Sequence, residues 1–393
     1  MSESPDSPMV HEAVGPDLPL GEAVAALALG VIALLFAGIL PALLGALGEE
    51  HRLSAAGMGL SATFEGLTMG LTTAAAGILL PPRHLKGIGA TAALVLAGAD
   101  FASLQAHDGG ILLVRTLAGV PEGILLWLTT AMIARTVTPE RWAGIFFAAL
   151  TAGQLVAALL CAEWVLPAYG ADGGFAMLAL AGVAGIAIAV FLPASYAPLP
   201  QSESESGAPP RRGWFALFAT LIFIGASSTV GVYLVPLALE AGLSADVART
   251  AIWVSLAAQI AGGAASTVLA GHIRWLTVFA VSTVVTIATW LVFLGHPAGW
   301  IFIAANALGG FVSILIAAFI VPMTIEVDPS RRTAVLGGST QVLAGALGPF
   351  AASRVVADDN VHGAIVLGSV SLLIGMALIA ALHFTSARNN HTL

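Results

Sequence analysis

Glu65, Arg115 and Glu122 stand in stretches of chain that are otherwise almost wholly apolar. An ionisable group deep in such a stretch costs about 2.5 kcal/mol or more in hydrocarbon, so it usually faces protein or a water-filled cavity. Two carboxylates and a guanidinium are the parts of a proton relay. Desolvation favours a neutral acid, and a nearby cation whose position changes can make it give the proton up. Glu65 lies about ten residues, or ~15 Å, into its apolar segment, and Glu122 about twelve residues into another. Arg115 and Glu122 share a helix face but are about 10 Å apart along the axis. The spacing predicts no direct pair; a carboxylate from another helix, a water or a bound solute would bridge them. The competing reading is a permanent Glu–Arg network that only locks helices together.

A second set of residues could recognise a solute. Ser227, Ser228, Thr229, Tyr233, Gln259, Asn306 and Gln341 are polar side chains in apolar spans of the second half, and Gln154 is one in the first. Such groups hydrogen-bond to a neighbouring helix or to a ligand. Tyr233 and Asn306 are the preferred binding residues, with Gln259, Gln341 and Ser228 behind them. Trp127 and Trp253 could stack on a ring or simply pack. Asp100, Glu163 and Glu240 fall near segment ends, where interfacial solvation accounts for them. Glu326 is expected to join Arg331 in a charge cluster at the inner face. The histidines sit in tails, loops or segment ends, and there is no His-Glu-x-x-His pair. No Gly-rich phosphate loop with a lysine occurs either. The sequence therefore predicts no enzyme, no metal and no cofactor.

The bilayer is the expected solvent for most side chains. Charged residues are 9% and apolar ones 58% of the 393, and the mean hydropathy is +0.95. A water-soluble core does not grow to hide that much apolar surface. Forty-four glycines suit closely packed membrane helices. The net charge of −8 is scattered over loops and the N-terminal tail, so nucleic acid is not an expected partner. Cys161 is the only cysteine, which rules out an intrachain disulfide.

Twelve apolar segments are predicted, at 23–47, 55–80, 87–106, 110–135, 142–166, 173–193, 214–240, 246–270, 276–296, 299–325, 333–357 and 362–385. Each is long enough to cross about 30 Å of hydrocarbon. With the N-terminus inside, ten basic residues fall on the cytoplasmic side and three (Arg52, Arg249, Arg354) on the other. That is a positive-inside bias, placing both termini in the cytoplasm. Residues 1–21 lack a basic start and a cleavage site, so they read as a disordered cytoplasmic tail rather than a signal peptide. Residues 194–213, with a Ser-Glu repeat, prolines and Arg211-Arg212, read as a flexible cytoplasmic linker, and 387–393 as a second tail.

Two halves, 22–193 and 214–386, share one plan. Leu53-Ser54-Ala55 recurs as Leu243-Ser244-Ala245; Val137, Pro139 and Arg141 recur as Val327, Pro329 and Arg331; Gly119 recurs as Gly309. All three offsets are 190 residues (243 − 53, 327 − 137, 309 − 119). Ser54 and Ser244 stand where each repeat needs an N-cap. The predicted fold is an all-α integral membrane protein, two six-helix bundles related by a parallel pseudo-two-fold repeat. Secondary transporters with such repeats place their substrate site between the halves.

Six plus six segments, a central loop and a parallel repeat resemble the major facilitator superfamily. Arg115-Thr-Leu-Ala-Gly119-Val-Pro-Glu122-Gly123 is similar to that family's fourth-helix pattern, an Arg followed four residues later by Gly. The resemblance implies that helices 1, 4, 7 and 10 line a central cavity, that the helix-4 Arg is tied to proton coupling, and that the protein is a monomer. Other motifs depart from the family. After segment 2, Gly77-Ile-Leu-Leu-Pro81-Pro82-Arg83-His84-Leu-Lys86 has Pro where the family has Asp, and segment 5 lacks the antiporters' Gly-Pro pattern. Gly345-Ala-Leu-Gly348-Pro349 occurs in segment 11 instead. The expectation is a multi-pass plasma-membrane protein of a bacterial inner membrane that carries a small organic solute by alternating access. Proton symport is the first reading, proton-coupled efflux of a drug or metabolite the second, and a passive channel or facilitator the third.

Overall fold

The structure, a computed structural model, describes residues 18–199, 207–356 and 362–390. Most of the expected N-terminal tail, the Ser-Glu repeat of the linker and residues 391–393 lie outside them. The described residues are helical: α1 (Leu20–Ala33), α2 (Leu35–Glu49), α3 (Ala55–Leu79), α4 (Leu85–Ser103), α5 (Gly109–Ile133), α6 (Pro139–Leu160), a π turn (Cys161–Val165), α7 (Leu166–Ala189), α8 (Arg211–Gly231), α9 (Leu234–Glu240), α10 (Ala245–Leu269), α11 (Trp275–Phe293), α12 (Gly299–Val327), α13 (Arg332–Val335), α14 (Gly337–Ala352) and α15 (His362–Asn390).

Across three consecutive helices the repeat holds to the residue. Helices α3, α4 and α5 and helices α10, α11 and α12 begin at positions 55, 85, 109 and 245, 275, 299, each pair 190 apart. Ser54 Oγ accepts from the Gly57 amide and Ser244 Oγ from the Val247 amide, so both copies carry the N-cap the sequence calls for. Packing repeats as well. Helix α3 lies on α5 as α10 lies on α12, and α4 lies on α7 as α11 lies on α15. The halves meet along two seams, α3 against α14 and α6 against α10, which the repeat interchanges.

Several expected spans are broken helices. The first is α1 and α2, parted at Leu34, whose carbonyl is taken up by Gln154 Nε2 at 2.8 Å. The seventh parts at Val232–Tyr233, one turn before Pro236; proline has no N–H to give the carbonyl four residues back. The eleventh parts at Leu336 and stops at Ala352, short of the expected 357. Pro139 opens α6 at a first-turn position, where a missing N–H costs nothing, so that helix starts three residues before the expected 142. The last helix runs to Asn390, into the expected tail.

Nine helical runs among the described residues are long and apolar enough to cross a membrane. One, Pro139–Ala189, has 51 residues, or about 75 Å of helix, and so must fold back. It turns at Gly170, whose φ of 61° and ψ of −159° only glycine adopts readily. Leu71, Leu94, Leu180, Val268 and Val284 are exposed around the outside, as lipid-facing residues are. Trp164, Tyr169 and Trp300 are exposed near helix ends, where amphipathic rings suit a membrane interface.

The linker is not loose along its whole length. Tyr196 and Leu199 are buried, the Tyr196 hydroxyl donates to the Leu128 carbonyl at 3.0 Å, and Arg135 Nε donates to the Ala197 carbonyl at 2.7 Å. Residues 194–199 are therefore packed on the N-terminal half.

Candidate functional site

Helices α3, α4 and α5 bring four charged side chains to one point inside the N-terminal half. Arg115 is at the centre. Its Nε donates to Glu65 Oε2 at 3.1 Å, its Nη1 to Asp100 Oδ1 at 2.6 Å, and its Nη2 to Glu65 Oε1 and, at 3.4 Å, to Glu122 Oε1. None of the four is more than 3% exposed, so solvent screening is minimal and every hydrogen bond counts.

The neighbours seal the cluster. The Phe36 ring of α2 lies 4.0 Å from the Arg115 guanidinium carbon and the Phe175 ring of α7 lies 5.9 Å from it, both positioned for cation–π contact. Toward the loop face that carries Arg52, a second polar array follows. Arg52, 6% exposed, donates to the carbonyls of Ser103 and Ala106 at 3.0 Å and to Asp172 Oδ1 at 2.7 Å. Ser103 is one turn along α4 from Asp100, so the two arrays are separated by a single helical turn. Ser61, one turn before Glu65 on α3, has a buried hydroxyl with no hydrogen-bond partner among the described residues.

Glycine spacing explains why these helices come close enough. A Cβ on Gly119 would lie 2.5 Å from the Glu65 carbonyl oxygen, and one on Gly123 would lie 2.5 Å from the Met69 carbonyl oxygen. The Arg-then-Gly pattern thus has a local cause: Gly119 lets α3 approach until Glu65 reaches Arg115. The second half departs here. At Gly309 a Cβ would meet only Thr289 Oγ1, at 3.8 Å, and the tight contact moves to Gly310, 2.8 Å from the Ser255 carbonyl.

Three sequence expectations are corrected. Arg115 and Glu122 do touch, because two long side chains leaning toward each other span the two turns. Asp100 is not an interfacial residue; it is 2% exposed and paired to Arg115. The α4 helix ends only three residues later, so sequence position alone made it look solvated. Glu326 does not join Arg331. It accepts from Trp275 Nε1 and lies 3.1 Å from His383 Nδ1, while Arg331 Nη1 donates across the seam to the carbonyls of Ala134 and Thr136 at 3.0 and 2.7 Å.

The residues proposed for binding separate into two groups. Asn306 Nδ2 donates to the Ala251 carbonyl at 2.9 Å, tying α12 to α10 in the manner of helix glue, as Gln154 ties α6 to α2. Tyr233 sits half-buried at the α8–α9 break, and Ser228 and Gln259 are half-buried on α8 and α10. Gln341 lines a cavity of about 60 Å³ between the halves. That cavity is walled by Leu126, Phe146 and Phe147 on one side and Val321 on the other. Trp127 is core, and Trp253 packs against the N-terminal half's core from α10. Among the described residues no group of three His, Cys, Asp or Glu side chains is arranged to hold a metal ion.

Comparison with solved structures fixes the architecture. The chain superposes on FucP in its outward conformation, described as a major facilitator superfamily transporter, with a TM-score of 0.65 over 91% of this chain and 98% of that one. The fold is that of the major facilitator superfamily. The human organic anion transporter MFSD10 (TETRAN) gives a TM-score of 0.71 over 92% of this chain and 100% of its own. A variant of the E. coli fucose:proton symporter FucP gives 0.68 over 92% and 98%. Identity is 15% in all three. No protein-family model and no curated protein sequence matches the chain.

Proposed function

We propose that this major-facilitator fold is a proton-coupled secondary transporter of a small organic solute, with twelve spans, cytoplasmic termini and alternating access between its halves. The observation that carries the reading is one guanidinium among three buried carboxylates. With all four ionised the site holds a formal charge of −2, and burial makes such an imbalance expensive. Two protons neutralise it. The positions 190 residues on are Ser255, Trp290, Ala305 and Val312, so only the N-terminal half carries this chemistry. The solute is handled at the seam, and the charge cluster sets which way the halves rock.

Proton exchange requires the cluster to meet water, and α2 is the element that can open it. Phe36, at the start of α2, covers Arg115, and α2 is parted from α1 at Leu34. Swinging α2 away would hydrate Arg115 and Glu65 without unfolding either half. Symport is the preferred direction, supported by the likeness to a fucose:proton symporter; proton-coupled efflux is the alternative. In proteoliposomes, Glu65→Gln and Glu122→Gln should each abolish accumulation driven by a proton gradient while solute exchange continues. Undiminished accumulation in both variants would remove the carboxylates from the coupling step.

A further inference from the structure

We infer that the ligand taken at the seam cavity is an uncharged molecule with an apolar body, hydrogen-bonded by Gln341. The inference rests on the transporter reading and adds the chemical class of the solute. Charge selection in a buried site depends on which ions are left to pair with a ligand. Among the described residues Arg52 and Arg115 are the buried cations: Arg52 is held by Asp172 and two backbone carbonyls, and Arg115 is bonded to three carboxylates and stacked on Phe36. Both lie within the N-terminal half and neither lines the cavity, so neither is the receptor for a solute carboxylate.

The cavity walls carry no charge at all. They are Leu34, Leu126, Ile133, Phe146, Phe147 and Val321 with smaller apolar groups, and their polar members are Thr130 and Gln341. An anion or a cation placed there would lose its hydration without gaining a counter-ion from the walls. The Thr130 hydroxyl donates a hydrogen bond to the Trp127 carbonyl at 3.2 Å, leaving its oxygen able to accept. Gln341 makes no hydrogen bond among the described residues, unlike Asn306 and Gln154, whose amides are bound to backbone carbonyls. An amide with both donor and acceptor unused, set in an apolar wall between two moving halves, is the group that would read a neutral carbonyl, hydroxyl or amide. The tilted Phe146–Phe147 pair, with ring centroids 5.3 Å apart, supplies a face for a ring or an aliphatic body.

The test uses the full chain with Cys161→Ala, which removes the one native thiol, and Ala143→Cys, which places a reporter in the cavity wall. The rate of alkylation by N-ethylmaleimide is measured with benzamide, benzoate or benzamidinium present, three probes of the same size and shape and different charge. Benzamide at about ten times its dissociation constant should slow the reaction about tenfold by mass action, and the two ions should leave it unchanged. Gln341→Leu, or Gln341→Met should the first fail to fold, should remove the protection. Protection by benzoate or by benzamidinium equal to that by benzamide would overturn the charge assignment while leaving the transporter reading in place. Failure of all three probes to protect would overturn the site itself. The assay needs no proton gradient, so its outcome is separate from that of the Glu→Gln variants.

Discussion

Arg115 is the residue on which the N-terminal half is organised. Three acids from three helices converge on it, and each contact is buried. Removing the guanidinium would leave carboxylates without a counter-charge, a loss of about 3–5 kcal/mol for a buried ion pair. Arg115→Met should therefore lower the unfolding temperature in detergent sharply, and combining it with Glu65→Gln and Asp100→Asn should restore much of the loss. Strict additivity of the three changes would show that the charges do not act as one unit. Glu65, Arg115 and Glu122 are visible in the sequence because a charge in an apolar run is costly and must be paired or hydrated. Asp100 is not: three residues from its helix end, it looks like any interfacial acid, and only the packing of α4 on α5 turns it inward.

At the scale of elements, small residues set how close helices come. Gly119→Val should push α3 away from α5 and uncouple Glu65 from Arg115, since even one Cβ there collides with backbone. The expected result is a destabilised protein that has also lost proton-driven uptake; native thermal stability and transport in this variant would contradict the close-approach argument. The N-caps make a milder case. Ser54→Ala and Ser244→Ala should each cost about 1 kcal/mol of stability without altering solute or proton specificity. The helix starts after Ser54 and Ser244 are legible from the chain, whereas the start at Pro139 falls three residues before the boundary that hydropathy gives. The breaks at Leu34 and Leu336 are not legible, because one depends on a glutamine from a distant helix and the other follows from how α13 and α14 fit against the opposite half.

The whole molecule is two halves held by two seams and a polar clasp. Arg331, in left-handed backbone conformation at φ 60°, reaches from the C-terminal half to the carbonyls that end α5. Cations favour helix C-termini, so this contact ties the two halves together at the end of α5. Its counterpart Arg141 is exposed, so the clasp is not duplicated. Arg331→Ala should make a thiol placed at Ala334 react faster with an impermeant maleimide from that face. An unchanged rate would mean the seam is closed by apolar packing alone. Gly263→Leu should have a related effect, because α10 and α6 touch there with no room for a side chain, a Cβ lying 2.7 Å from the Ala148 amide.

Composition and internal repetition alone determined that this chain is a duplicated bundle of apolar helices, because hydropathy and a 190-residue offset are properties of the string itself. They also exposed the unusual charges, since the price of burying an ion does not depend on knowing the neighbours. Which acids meet which cation was decided only by the folded arrangement. So was the division between Asn306, tied to backbone, and Gln341, turned to the seam. Both depend on distances between helices far apart in sequence, and those distances are set by glycines and kinks acting together.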